Sequence, residues 1–131
     1  MIVVDTSALM AILLQEPEAA GCKAAIAAES SIVISAGTLV EALIVAGRRN
    51  LSAEMTALID GLDFEIEPVT SASARSVSRA YETWGKGRHP APLNFGDCFA
   101  YALARERACP LLYVGGDFKK TDIAAALPGA N

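Results

Sequence analysis

Four acidic residues occupy places where an acid is costly to keep. Asp5 ends the apolar run IVVD (2–5), and Glu41 interrupts TLVEALIVAG (38–47), which would otherwise read as a wholly buried helix. Asp97 follows Asn94-Phe95-Gly96 at the opening of a helical stretch, and Asp117 follows LLYV (111–114) through Gly115-Gly116. Three have an ordinary explanation: a helix-start residue for Asp97, a turn residue for Asp117, a solvent-facing position for Glu41. Asp5 is the hardest to dismiss, though one strand-end Asp has many uses. The joint pattern is harder to explain that way. If the runs are parallel strands, all four acids lie at or near one edge of a sheet, where they repel unless cations sit among them. Carboxylates and water are the ligand set for Mg²⁺ or Mn²⁺. One or two such ions held by acids are the machinery for in-line displacement at phosphorus. Asp122 lies nearby and reads as the cap or opening of a last short helix.

Other machinery is missing. His89 is the single histidine, so a mechanism needing two is excluded. A Ser-His-Asp triad would have to draw on His89 in a Pro-rich loop, with no nucleophile-elbow sequence. Neither GxxxxGK[ST] nor GxGxxG occurs, hence no phosphate-cradling loop for a nucleotide cofactor. A phosphatase with D-x-D would need a second acid where Asp5-Thr6-Ser7 has none. A signalling receiver would need paired acids after the first strand and a lysine after a late one; glycines follow LLYV instead.

The acids must be positioned by the elements between them. The continuous apolar runs 2–5, SIVIS (31–35) and 111–114 suit parallel strands buried on both faces. FEIEPV (64–69) alternates apolar and acidic residues and closes on Pro68, as an edge strand does. Helices are expected over 7–14, from Pro17 to about 28, from Ser35 to about 49, in a short stretch capped by Ser52, over 71–84, over 97–108 and from about Thr121. Val77, Ala80, Tyr81 and Trp84 form one stripe of the 71–84 helix, taken as core. The alternation predicts an α/β fold of three layers, α/β/α, with a central parallel sheet of four or five strands. No repeat or linker divides the chain, so 1–131 is taken as a single domain.

The 131 residues are 53% hydrophobic and 20% charged, with net charge −4, which suits a globular protein and not a generic nucleic-acid coat. No apolar run reaches the roughly 18 to 20 residues of a membrane span. The start carries no basic region and cleavage site of a secretory signal. Cys22, Cys98 and Cys109 form no CxxC pair, which points to reduced thiols and a cytoplasmic protein. Arg75, Arg79, Lys86, Arg88 and His89 fall within fifteen positions. They are either solvated helix faces and a loop or a phosphate-contacting rim.

VDTSAL (4–9), TLVEAL (38–43), LNFGDCFAYALA (93–104) and GGDFKKTDI (115–123), in this order and spacing, resemble the PIN-domain family, and within it the VapC-type toxins of bacterial toxin–antitoxin pairs. The resemblance spans nearly the whole chain, and the third stretch is the most specific. It implies a PIN-like fold and a Mg²⁺- or Mn²⁺-dependent endoribonuclease. By the same resemblance, Asp5 and Asp97 bind the principal ion while Glu41 and Asp117 complete the acidic pocket. Thr6, Ser7 and Asn94 are supporting polar groups, and Asp122 matches a further acid, as metal ligand or behind one. Gly116 departs from the polar residue common there. Arg75, Arg79, Lys86 and Arg88 are the candidates to grip RNA phosphates. A homodimer and a small antitoxin are the partners implied, in keeping with an apolar surplus larger than one core can hide. The alternative is a catalytically silent PIN-like module that binds RNA or protein.

Overall fold

A computed structural model of the chain describes residues 1–87 and 90–127. Four strands, β1 (Ile2–Val4), β2 (Ile32–Ser35), β3 (Glu65–Glu67) and β4 (Leu111–Leu112), form one sheet in the order β3-β2-β1-β4. All three pairings are parallel, with Ile2 opposite Ile32 and Val3 opposite Leu111. Six helices connect and cover them: α1 (Thr6–Leu13), α2 (Ala19–Ala27), α3 (Ala36–Arg48), α4 (Ser52–Leu62), α5 (Ser71–Trp84) and α6 (Phe95–Arg107).

Because strand side chains alternate faces, β1 and β2 divide their residues between two cores. Ile2, Val4, Ile32, Ile34 and Leu112 pack with Leu9, Ile12, Ala42, Met55 and Ile59 of the early helices. Val3, Val33, Leu111 and Tyr113 pack with Ala80, Ala100, Leu103 and Phe118 on the other side. The molecule is therefore the three-layer α/β/α sandwich expected, with α1–α4 contributing to one layer and α5–α6 forming the other. Strands buried on both faces cannot afford polar residues, which is why three of the four read as unbroken apolar runs.

β3 is the exception, and it lies at the edge as its alternation predicts. Its backbone is protected by charge: Arg107 pairs with Glu65 and, at 3.0 Å, with Glu67. Acids on an edge strand also discourage pairing with another chain.

Several element ends differ from expectation. α2 begins at Ala19, leaving Pro17 in the preceding turn. Ser52 is the first residue of α4 rather than its cap; Leu51 holds the cap position and packs its side chain on the core instead. Tyr81 of α5 is exposed, so the stripe taken as core buries Ala80 fully and Val77 and Trp84 in part. The helix expected from Thr121 is absent. There the Thr121 hydroxyl donates to the Phe118 carbonyl at 2.7 Å, and the chain then runs beside β4, where Leu111 N–H donates to Ala124 O and Ala126 N–H to Leu111 O, each at 2.9 Å. Sheet hydrogen bonds on the open side of β4 outcompete a short helix, and Asp122 caps nothing. Cys22, Cys98 and Cys109 are free thiols. Among the described residues no helix is long and apolar enough to cross a membrane.

Candidate active site

The sheet changes direction of growth at β1: the chain adds β2 and β3 on one side and returns to place β4 on the other. A crevice opens beyond the carboxyl ends of strands at such a switch point. Here it holds a cavity of about 150 Å³ walled by Asp5, Thr6, Ser7, Glu41, Asp97 and Asp117, with Val45, Val114 and Phe118 as its apolar sides. The four acids expected at one sheet edge therefore meet in one place, from β1, α3, α6 and the loop after β4.

Asp5 is both a helix cap and something more. It precedes α1 with extended backbone, and its Oδ2 accepts from Ser7 N–H at 3.0 Å and from the Ser7 hydroxyl at 2.7 Å. That satisfies one carboxylate oxygen. The other, Oδ1, is fully buried without a hydrogen-bond partner. A capping role accounts for the first oxygen and leaves the second unexplained, and buried acceptors in folded proteins are rarely left so. Ser7 also ties the chain after β1 to the chain after β4, since its hydroxyl accepts from Val114 N–H at 3.0 Å. Ser7→Ala should thus destabilise the protein by about 1–3 kcal/mol, the cost of orphaning buried partners, measured by urea unfolding.

Asp97 is the third residue of α6. Its Oδ2 accepts from Asn94 N–H at 3.1 Å, and Asn94 Oδ1 accepts from Asp97 N–H at 3.0 Å, a reciprocal capping box. Asn94 thereby fixes the acid's position from outside the cavity. Glu41 Oε1 accepts the Thr6 hydroxyl at 2.6 Å. Asp117 is exposed at the rim, where Gly115 adopts φ +98°, a left-handed conformation that glycine tolerates.

The electrostatics record the crowding. Burial pushes the Asp5 carboxyl up to about 6, against the hydrogen bonds from Ser7 that favour its charge. Asp97 is pushed up to about 8, first by burial and then by the charges of Asp5, Asp117 and Glu41. A site that holds protons so tightly has its ionised form starved of countercharge. The unpartnered Asp5 Oδ1 and the all-oxygen donor set fit a hard divalent cation. As the side chains stand, no three His, Cys, Asp or Glu among the described residues are close enough together to hold one ion, and the Glu41 carboxylate is engaged with Thr6.

The remaining candidates lie elsewhere. Asp122 stands outside the cavity: it accepts the Tyr101 hydroxyl at 2.6 Å and faces Arg105 at 3.5 Å, in a groove of about 560 Å³ shared with Arg79 and Trp84. Arg75 and Arg79 are exposed on α5, and Lys86 is exposed just beyond it. None of the three lines the cavity. Arg88 lies outside the described residues. Thr38, one turn before Glu41, has no role assigned from the sequence; it is fully buried and its hydroxyl has no hydrogen-bond partner. Phe118 was missed as a wall because an aromatic residue after Gly-Gly-Asp reads as a loop residue. Its ring packs on Tyr113 at 5.0 Å.

This geometry has known counterparts. The PIN domain family model matches residues 2–124. Ribonuclease VapC28 of Mycobacterium tuberculosis is 43% identical over 129 residues, covering 95% of this chain and 97% of the relative. Among solved structures, the toxin VapC20 of Mycobacterium tuberculosis, described as cleaving the sarcin–ricin loop, matches with a TM-score of 0.77 at 21% identity, over 98% of this chain and 100% of that one. A toxin–antitoxin complex from Klebsiella pneumoniae matches with a TM-score of 0.67 at 18% identity, over 93% of each chain. At such identities the two structures speak for the fold, whereas the family model and the ribonuclease span nearly the whole sequence. The chain belongs to the PIN-domain family, in its VapC branch.

Proposed function

We propose that this protein is the toxin of a toxin–antitoxin pair, an endoribonuclease that hydrolyses RNA phosphodiester bonds with Mg²⁺ or Mn²⁺ in the cavity of Asp5, Glu41, Asp97 and Asp117. The observation that carries this reading is the buried, unpartnered Oδ1 of Asp5 in a wall shared with three more acids. Asp5 and Asp97, whose carboxyls burial and mutual repulsion load with protons, would hold the ion. Ser7 and Asn94 anchor one oxygen of each, so both carboxylates are presented in a set orientation. Thr6 holds Glu41, and Glu41 with Asp117 completes the acidic wall that orients a water toward phosphorus. When bound, the ion lowers the pKa of that water toward neutrality and offsets charge developing on the phosphoryl oxygens. Products would carry 5′-phosphate and 3′-hydroxyl ends.

Arg75, Arg79, Lys86 and Arg88 are assigned to the phosphates flanking the cut. Three of them lie on or just beyond α5, outside the cavity, where contacts position RNA without reading its sequence. Asp122 belongs with this outer region, held by Tyr101 and Arg105. The whole chain acts as one domain, in the cytoplasm where its RNA is. A small antitoxin and a second copy of the chain are the protein partners. Apolar side chains left exposed support both: Val40 and Ile44 on α3 are 56% and 52% exposed, and Phe95 at the mouth of an apolar groove is 73% exposed.

The test is cleavage of total bacterial RNA by purified, antitoxin-free protein in Mg²⁺, in Mn²⁺ and in EDTA. Discrete fragments that require the metal are expected. A folded protein that leaves the RNA intact in every metal would instead be a silent binding module.

A further inference from the structure

We propose that Gly37 of α3 and Gly96 of α6 are positioning residues, a reciprocal pair of notches that sets how deeply the two helices approach and so lays the Glu41 carboxylate beside Asp97. A methyl group at Gly96 would stand 1.8 Å from Glu41 Oε2 and 2.4 Å from its Cδ. A methyl group at Gly37 would stand 2.3 Å from Cδ1 of Phe99 and 2.6 Å from its Cγ. Each helix thus sends one side chain into the space left by the other's missing Cβ: Glu41 over Gly96, one residue before Asp97, and Phe99 over Gly37, one turn before Glu41. Neither glycine is needed for its backbone, because positive φ among the described glycines occurs at Gly87 and Gly115. Space alone requires them.

The contact pins Glu41 from two directions. Oε1 takes the Thr6 hydroxyl at 2.6 Å, while Oε2 lies against the Gly96 Cα. Phe99 is held in turn by Phe95, edge to face at 5.1 Å. A side chain at position 96 must displace the Glu41 carboxylate, the free end of a flexible side chain, from its place beside Thr6. A side chain at 37 must displace the Phe99 ring, which α6 carries two residues beyond Asp97. Gly61, in α4, is the natural control, because a methyl group there meets nothing within 4 Å. Helix propensity favours alanine over glycine inside a helix, so on that ground alone Gly→Ala should stabilise at all three positions.

The inference rests on the acidic cavity being a cation site, and the experiment separates the two. Mn²⁺ affinity is measured by electron paramagnetic resonance, alongside RNA cleavage, thermal melting and circular dichroism. The variants are Gly96→Ala, Gly37→Ala and Gly61→Ala, with Glu41→Ala and Gly96→Ala/Glu41→Ala to complete a cycle. Gly96→Ala should weaken Mn²⁺ binding at least about tenfold, the scale seen when the groups that orient metal ligands are disturbed. On the Glu41→Ala background it should cost nothing further, because its target is gone. Gly61→Ala should bind and cleave as wild type and melt no lower. If Gly96→Ala fails to fold, Gly37→Ala carries the test: it should lose about tenfold in Mn²⁺ affinity, and Phe99→Ala should restore it. Wild-type affinity in both Gly96→Ala and Gly37→Ala, or an equal loss with and without Glu41, overturns the notches while leaving the metal site intact. A wild-type protein that binds no Mn²⁺ overturns the metal site, and the notches fall with it.

Discussion

Asp97→Asn is expected to slow RNA cleavage by at least about 100-fold, and yet to make the metal-free protein more stable at pH 8. The first effect follows if Asp97 holds the ion. The second follows from the direction of its pKa. Asp97 is pushed up to about 8, far above the usual carboxylate range, by burial and three neighbouring acids, so its ionised form strains the fold. Asparagine has nearly the same shape, and its Oδ1 can still accept from Asn94 N–H, so the capping box survives while the charge is removed. In EDTA at pH 8 the variant should melt about 5 °C or more above wild type, given the few degrees that each kcal/mol is worth in a domain of this size. At pH 3, below the unfolded carboxyl's own value, folded and unfolded forms both hold the proton and the difference between the two proteins should close. An acid retained only to cap α6 would behave otherwise: asparagine would then cleave normally or melt lower at both pH values. Asp5→Asn should share the loss of cleavage, since it removes charge from the buried oxygen that the cap does not use.

The acids were legible because they contradict their surroundings. A carboxylate closing IVV, or interrupting an apolar helix, has no cheap explanation from local structure, and parallel β topology places all such positions on one edge. Strand identity was legible for a related reason, since full burial on both faces leaves a short, unbroken apolar run rich in β-branched residues, unlike the Ala- and Leu-rich run of α1. What was illegible depends on contacts between distant residues. Thr121-Asp122 looks like a helix start, but the backbone there pairs with β4 and Asp122 is taken by Tyr101, 21 positions away. Ser52 looks like a cap, but burying Leu51 decides where α4 begins. Gly96 carries the same lesson at the site. A glycine in the first turn of a helix reads as indifferent until Glu41, far off in sequence, is seen to fill its missing side chain. Basic residues fared least well, because charge on an exposed helix face is compatible with solvent, RNA or protein, and nothing local distinguishes them.

The pH dependence of Mn²⁺ stabilisation separates a cation site from a merely crowded one. Both central carboxyls are raised on folding, Asp5 to about 6 and Asp97 to about 8. Between pH 4 and 8 the folded metal-free protein therefore holds more protons than the unfolded chain, and stability falls as pH rises through that window. The contribution of these groups is fully favourable below the unfolded value near 4, declines as Asp5 and then Asp97 are forced to ionise, and levels off above about 8. A divalent ion needs the same carboxylates deprotonated, so its affinity should climb across the same range. Saturating Mn²⁺ should accordingly leave the melting temperature almost unmoved at pH 5. At pH 8 it should raise it by about 5 °C or more, corresponding to the roughly 2.7 kcal/mol gained when the ion is at a hundred times its dissociation constant. In Asp97→Asn that pH-dependent increment should largely vanish, because the group that exchanges a proton for the ion is gone. Equal stabilisation at pH 5 and pH 8 would mean that Mn²⁺ binds somewhere other than these acids. The unpartnered oxygen of Asp5 would then need another occupant, such as a buried water bridging it to Thr38, whose hydroxyl is, among the described residues, the other buried side-chain group without a partner.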